Sequence, residues 1–167
     1  MIVKLNKNYF NIYINRIMLL LLNIQFISYE FADSICEEIR KDIDLYSSFS
    51  FLCIENDILS GMLIARSIGE YVPNKNTCEI KYLSVNPDFK RRGIATSLVE
   101  NLKTRCGSYF DCIYLTVYEK NSKAIAFYKK MGFYRYIVDG KPQVVLYDEG
   151  TSDEHTDICM ICDLSDV

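Results

Sequence analysis

Residues 86–100, Asn-Pro-Asp-Phe-Lys-Arg-Arg-Gly-Ile-Ala-Thr-Ser-Leu-Val-Glu, carry the chain from the end of an apolar strand into a helix. Just before them, Glu79-Ile-Lys-Tyr-Leu-Ser-Val has the β-branched and aromatic bias of a strand. Within and after them, Ala95, Leu98, Val99 and Leu102 recur at helical spacing. Gly93 lets the backbone come close to a ligand, and the uncapped amides of a first helical turn, at the positive end of the helix dipole, favour an anion. Lys90, Arg91 and Arg92 add charge at the same spot. The segment therefore reads as a diphosphate cradle, against the plainer reading of a basic turn with a glycine for geometry. It is not a nucleotide P-loop, because no Gly-Lys-Ser/Thr follows, and it lacks the three-glycine dinucleotide fingerprint.

A second segment, residues 113–133, reads as strand, short polar turn, helix and glycine stop. Ser122 is the expected N-cap, and Ala124, Phe127, Tyr128 and Met131 share a helix face at three- and four-residue steps. Phe127 and Met131 are expected in the core, whereas a buried Tyr128 needs a use for its hydroxyl.

Together these two segments resemble the GNAT superfamily of N-acetyltransferases. Lys90 to Ala95 is similar to the family's acyl-CoA signature, Gln/Arg-x-x-Gly-x-Gly/Ala, with Lys90 departing from the usual first residue. Asn121 to Phe133 matches Asn-x-x-Ala-x-x-Phe-Tyr-x-x-x-Gly-Phe at every named position. The resemblance runs over residues 10–164 and is sharpest between 78 and 133. Within the superfamily the chain is most similar to amino-terminal protein acetyltransferases acting on peptides that begin with methionine, and Asn23 to Tyr29, Glu55 to Gly61 and Ile113 to Val117 each look like that group's segments.

The fold class expected is α/β (α+β), a central mixed and mostly antiparallel sheet with helices on both faces. Helices are read at 11–24, 33–41, 93–105 and 122–130. Strands are read at 49–55, 59–67, 78–85, 112–118, 134–139, 143–147 and 157–164. The turn chemistry of Glu55-Asn-Asp57 joins the first two strands as a hairpin. Residues 1–10 read as a ragged leader and 11–167 as one domain, a length that suits a single core.

A net charge of −3 argues against a large nucleic-acid footprint and for small anionic ligands at the local basic cluster. Seven cysteines, an odd number placed mostly in apolar segments, read as reduced core residues, which points to a cytoplasmic or nuclear compartment. Cys159-Met-Ile-Cys162 has metal-ligand spacing but no second pair, so no metal site is expected. The apolar run Ile17 to Leu22 is too short to span a bilayer and reads as a buried helix, with no membrane span. His155, the sole histidine, lies in a polar, acidic stretch and reads as a solvated loop residue.

The family resemblance implies direct transfer of an acetyl group from acetyl-CoA to a primary amine, with a peptide or protein N-terminus as acceptor and a larger acetyltransferase complex as a partner. It places the cofactor on Leu83, Ser84 and Val85, whose strand meets the thioester carbonyl, and on Lys90, Arg91, Arg92, Gly93, Ile94, Ala95 and Thr96. Asn121 corresponds to the asparagine that contacts the pantetheine arm, and Tyr128 to the tyrosine that protonates the leaving thiolate. Phe26, Ile27 and Tyr29 fall in the loop that grips the peptide, with Tyr118, Tyr136 and Tyr147 as further groove residues.

Glu79, fourteen residues before Gly93, is the expected base, at the spacing of histone-type members. The methionine-type enzymes have instead a tyrosine near that place and a histidine where this chain has Thr116. Two alternatives stay open: a lysine or polyamine acceptor, for which Asp148, Glu149, Asp153 and Glu154 would supply acidity, and a catalytically idle acetyl-CoA-binding subunit.

Overall fold

The computed structural model describes residues 1–147 and 155–164. The chain divides into two compact units, Met1–Ser67 with Ile80–Arg105, and Ile68–Glu79 with Cys106–Val167.

In the first unit, β1 (Ile2–Lys4), β2 (Phe51–Glu55), β3 (Ile58–Ser67) and β4 (Thr77–Val85, of which Ile80 onward belongs here) lie side by side in that order. Residues 1–10 are thus not a ragged leader: Ile2, Val3 and Lys4 pair antiparallel with Cys53, Leu52 and Phe51. The β2–β3 turn has Asn56 and Asp57 at φ 49° and 60°, the double positive-φ geometry that twists a two-residue hairpin correctly.

Helix α1 (Lys7–Leu22) begins earlier than the sequence reading, because the Asn6 side chain caps it by accepting from the Tyr9 amide at 2.9 Å. Its apolar run is buried as expected, with Ile17, Leu20 and Leu21 in a core cluster shared with α2 (Tyr29–Lys41) and the short α3 (Ile43–Ser47). Capped by Ser28, α2 starts at Tyr29, four residues before the start expected at Asp33, and α3 has no counterpart in the sequence reading.

Met62 and Ile64 belong to that cluster. Side chains alternate along a strand, so Gly61 faces the other way, toward α4 (Ile94–Cys106). A Cβ on Gly61 would lie 2.7 Å from Ile94 Cγ2, so α4 packs where only a glycine leaves room. Helices therefore cover both faces of this unit's strands, as the sequence led us to expect.

In the second unit, β10 (His155–Asp163) pairs antiparallel with β5 (Cys112–Tyr118), β6 (Tyr134–Arg135) and β9 (Val144–Tyr147), while β7 (Ile137–Val138) and β8 (Lys141–Pro142) form a small hairpin. The start of β4 lies beside β5, with the Asn76 carbonyl accepting from the amides of Asp111 and Cys112. Helix α5 (Ser122–Lys130) is capped by Asn121 rather than Ser122, the Asn121 Oδ1 accepting from the Ala124 amide at 3.1 Å. All seven cysteines are buried and free. Cys159 and Cys162, three apart on β10, point to opposite faces of the strand. Among the described residues, no helix is long and apolar enough to cross a membrane.

Candidate active site

The basic segment leads into α4 as the sequence suggests. Pro87–Phe89 form a 3-10 turn capped by the Asn86 side chain, Arg91 and Gly93 take positive φ (64° and 77°), and the Gly93 carbonyl accepts from Ser97. The amides of Ile94, Ala95 and Thr96 thus form the first turn, where helical amides lack intrahelical partners. Among the described residues nothing lies within 4 Å of the place a Gly93 Cβ would take, so that side of the turn is open. Lys90, Arg91 and Arg92 are exposed around it. Arg92 lies over the Phe89 ring at 4.9 Å and 3.7 Å from the Glu55 carboxylate.

In the strand before the cradle, the Ser84 hydroxyl is committed to structure, donating at 2.8 Å to the Leu20 carbonyl in the last turn of α1. Any polar contact of Ser84 with a ligand therefore falls to its main-chain groups. In the same unit, Phe26 is exposed at φ 65°, Tyr29 is exposed at the start of α2, and Ile27 packs against the core cluster. The three residues expected in one gripping loop thus divide between surface and core.

The second unit holds the remaining candidates. Tyr128 is buried near the end of α5, its ring edge-on to Phe127 and Phe133 with centroids 5.3 and 5.5 Å away. Burial alone raises its pKa, so the phenol keeps its proton at neutral pH. Glu79 is half-buried on β4. Tyr136 packs with Cys112, Tyr114 and Cys159 in a smaller apolar cluster.

Tyr118, Tyr147 and Glu79 belong with residues the sequence reading missed. His155 is not a solvated loop residue. It opens β10, stacks on Tyr147 with centroids 4.6 Å apart and planes 14° apart, and meets Tyr118 edge-on at 5.9 Å. Its Nε2 is 3.7 Å from Oδ1 of Asp157, which burial pushes up in pKa against the opposing pull of His155 and a hydrogen bond with Thr116. The Tyr147 hydroxyl is likewise raised by burial and by the charge of Asp157, with a Thr116 hydrogen bond opposing and Glu79 adding a smaller upward push. Glu79, Thr116, Tyr147, His155 and Asp157 thus form one electrostatically coupled group. The signal that could have found it is the period-two spacing of His155, Asp157 and Cys159, which extends the last strand backward.

Known proteins match this chain over the segments just described. The sequence profile of the acetyltransferase (GNAT) family fits residues 18–133. The chain belongs to the GNAT family. Among individual relatives, this GNAT chain is similar to the N-alpha-acetyltransferase 50 of Danio rerio, 30% identical over 105 residues that cover 62% of this chain and 61% of that protein. The match thus spans about three fifths of the relative's length. In fold it is similar to the ribosomal-protein-S18-alanine N-acetyltransferase of Escherichia coli, with a TM-score of 0.71 at 18% identity over 99% of this chain and 94% of that one. It is similar also to Arabidopsis thaliana Naa50, solved in complex with the bisubstrate analogue CoA-Ac-MVNAL, with a TM-score of 0.66 at 20% identity over 96% of each chain.

Proposed function

We propose that the protein moves the acetyl group of acetyl-CoA by direct transfer to the α-amino group of a protein or peptide N-terminus. The observation that carries this is the open turn at Gly93, where a glycine at φ 77°, three first-turn amides and three exposed basic side chains converge in a chain of the GNAT family. That arrangement suits a diphosphate.

In this reading the amides from Arg92 to Thr96 bind the pyrophosphate, and Lys90, Arg91 and Arg92 add charge. Backbone of Leu83 to Val85 meets the thioester carbonyl, and Asn121, its Oδ1 already used as a helix cap, offers Nδ2 to the pantetheine arm. Acetyl-CoA supplies the activated acetyl group. Tyr128 gives the departing thiolate a proton, a role for which its burial keeps it protonated. Glu79 draws the incoming ammonium and takes up its proton through a water. Phe26, Tyr29, Tyr118, Tyr136 and Tyr147 line the peptide's path, with Ile27 supporting the loop from the core side.

Magnitudes favour an α-amine. Presenting a neutral lysine at about pH 7 costs about 3 kcal/mol more than presenting a neutral α-amine, because their pKa values are ~10.4 and ~8. The acidic residues Asp148, Glu149, Asp153 and Glu154, which would favour a polyamine, lie outside the described residues. The protein works in the cytoplasm or nucleus, a reading supported by seven free, buried cysteines, and it serves within a larger acetyltransferase complex.

The test is mass-spectrometric detection of acetylation on a peptide library with varied first residues, using the purified protein and acetyl-CoA. Acetylated α-amines are the expected result. Acetylation confined to internal lysines or to a polyamine, or CoA binding without transfer to any amine, overturns it.

A further inference from the structure

Two side chains of the second unit, His155 and Asp157, have no part in this scheme. β5, β10 and β9 are in register such that Asp157 stands opposite Tyr118, Cys159 opposite Thr116, and Tyr147 opposite His155. Directly opposed residues share a sheet face, and so do residues two apart on one strand. His155 and Asp157 therefore lie on the face that carries Thr116, Tyr118 and Tyr147. The imidazole is held between two tyrosine rings, flat on Tyr147 and edge-on to Tyr118. Asp157 Oδ1, 3.7 Å from Nε2, is buried and has no hydrogen-bond partner among the described residues. That separation is short enough for charge attraction and too long for a hydrogen bond. A half-buried carboxylate with one oxygen unpaired gains from a positive charge appearing beside it. Among the described residues, Asp157 from its own strand, Tyr118 from β5 and Tyr147 from β9 meet the ring, with Thr116 of β5 acting on Asp157 and Glu79 of β4 on the Tyr147 hydroxyl. Both carboxylates in that set favour a cation.

We propose that His155, positioned by Asp157, is the group on which the acceptor amine's proton comes to rest. This builds on the acetyl-transfer reading above and says where the proton goes after Glu79. Magnitudes favour an imidazole there. Moving a proton from an α-ammonium, ~8, to a carboxylate, ~4.3, is unfavourable by nearly 10⁴, whereas moving it to an imidazole, ~6.5, is unfavourable by only about thirtyfold. In this scheme Glu79 attracts the ammonium and passes its proton on, and the His155 ring nitrogen receives it. The transfer balances as follows. The ammonium loses one proton toward Glu79 and His155, and its nitrogen pair forms the N–C bond to the acetyl carbon. The C–S bond then breaks with its electron pair on sulfur, and Tyr128 protonates the thiolate. The amide nitrogen's second proton restores the phenol, and His155 returns its proton to solvent. The histidine missing at Thr116 is replaced by one from the neighbouring strand.

The test is the pH dependence of kcat/KM between about pH 6 and about pH 9 for a peptide with a free α-amine, using the full chain. Two variants separate chemistry from packing: His155→Gln removes the ring, and His155→Phe keeps an aromatic ring against Tyr147 without a proton acceptor. Both should lose roughly 10²-fold near neutral pH, with KM for acetyl-CoA unchanged and the loss shrinking above the pH at which the amine deprotonates unaided. Asp157→Asn should show a smaller loss, confined to kcat. A wild-type profile in His155→Phe, or a loss equal at every pH, overturns the inference while leaving the acetyl-transfer reading intact. A wild-type protein that binds CoA and acetylates no amine removes both.

Discussion

The Ser50 hydroxyl makes two hydrogen bonds to one residue, donating at 3.1 Å to the Ala65 carbonyl and accepting at 2.9 Å from the Ala65 amide. Ser50 is fully buried just before β2, so its side chain completes a ladder that the backbone leaves open there. Ser50→Ala would strand a donor and an acceptor in the core. We expect a loss of about 1–3 kcal/mol in unfolding free energy, read from denaturant midpoints at unchanged slope. A variant within error of wild type would mean that the strands adjust at no cost.

CoA should raise the thermal midpoint by mass action, because it binds only the folded cradle. Gly93→Leu should abolish that rise. The glycine's φ of 77° is strained for any other residue, by ~1–2 kcal/mol, and the new side chain would occupy the open side of the turn. A CoA-induced shift that survives the substitution moves the cofactor elsewhere.

Tyr128→Phe keeps the ring between Phe127 and Phe133 and deletes only the hydroxyl. Turnover should fall by roughly 10²-fold or more, while the thermal midpoint and CoA affinity stay close to wild type. Unaltered turnover would reduce Tyr128 to a core residue.

Glu79→Gln should lower the rate most near neutral pH, with partial recovery at high pH, where the amine deprotonates unaided. A uniform loss across the pH range would remove Glu79 from the proton path.

A separate pH effect concerns stability. Burial raises the carboxyl pKa of Glu38, but the Tyr46 hydroxyl, which donates to Glu38, and the charges of Lys81 and Arg66 outweigh it, and the net position is below the ordinary 4.5. A carboxylate lowered on folding contributes stability that is full above its unfolded value and lost as pH falls through its folded one. Since the side chain is 46% exposed, solvent screening limits that contribution to about 0.5–1 kcal/mol. Glu38→Gln should therefore be less stable than wild type at neutral pH, with the difference closing as the solution is acidified below 4.5. Denaturant titrations of the pair at several pH values measure it, and a constant gap would contradict the linkage.

Where local pattern and terminating residues agree, the chain is legible to the residue. β5 and α5 fall where the sequence puts them, because an apolar strand, a polar turn and Gly132 bound them on both sides. β1 is different in kind: its three residues form a strand only by pairing with β2, a partner almost fifty residues away, and nothing local announces that. His155 was obscured by composition. Its acidic neighbours suggest solvent, whereas its surroundings are set by register with β9 and β5, which depends on pairings no single segment encodes. The cap of α5 shows the same limit at shorter range, since Asn121 and Ser122 are both good caps and backbone geometry selects the first.

The missing carbon at Gly61 reaches further than its own strand. Ile94, whose Cγ2 would lie 2.7 Å from a Cβ placed there, is also the first residue of α4, so the depth at which that helix seats on β3 fixes where its leading amides stand. A methyl added at Gly61 would press on the Ile94 side chain at the near end of the helix, and so on the turn whose donors begin there. Gly61 thereby sets the stance of the first-turn amides from beneath the helix, at a position that no bound molecule need ever touch.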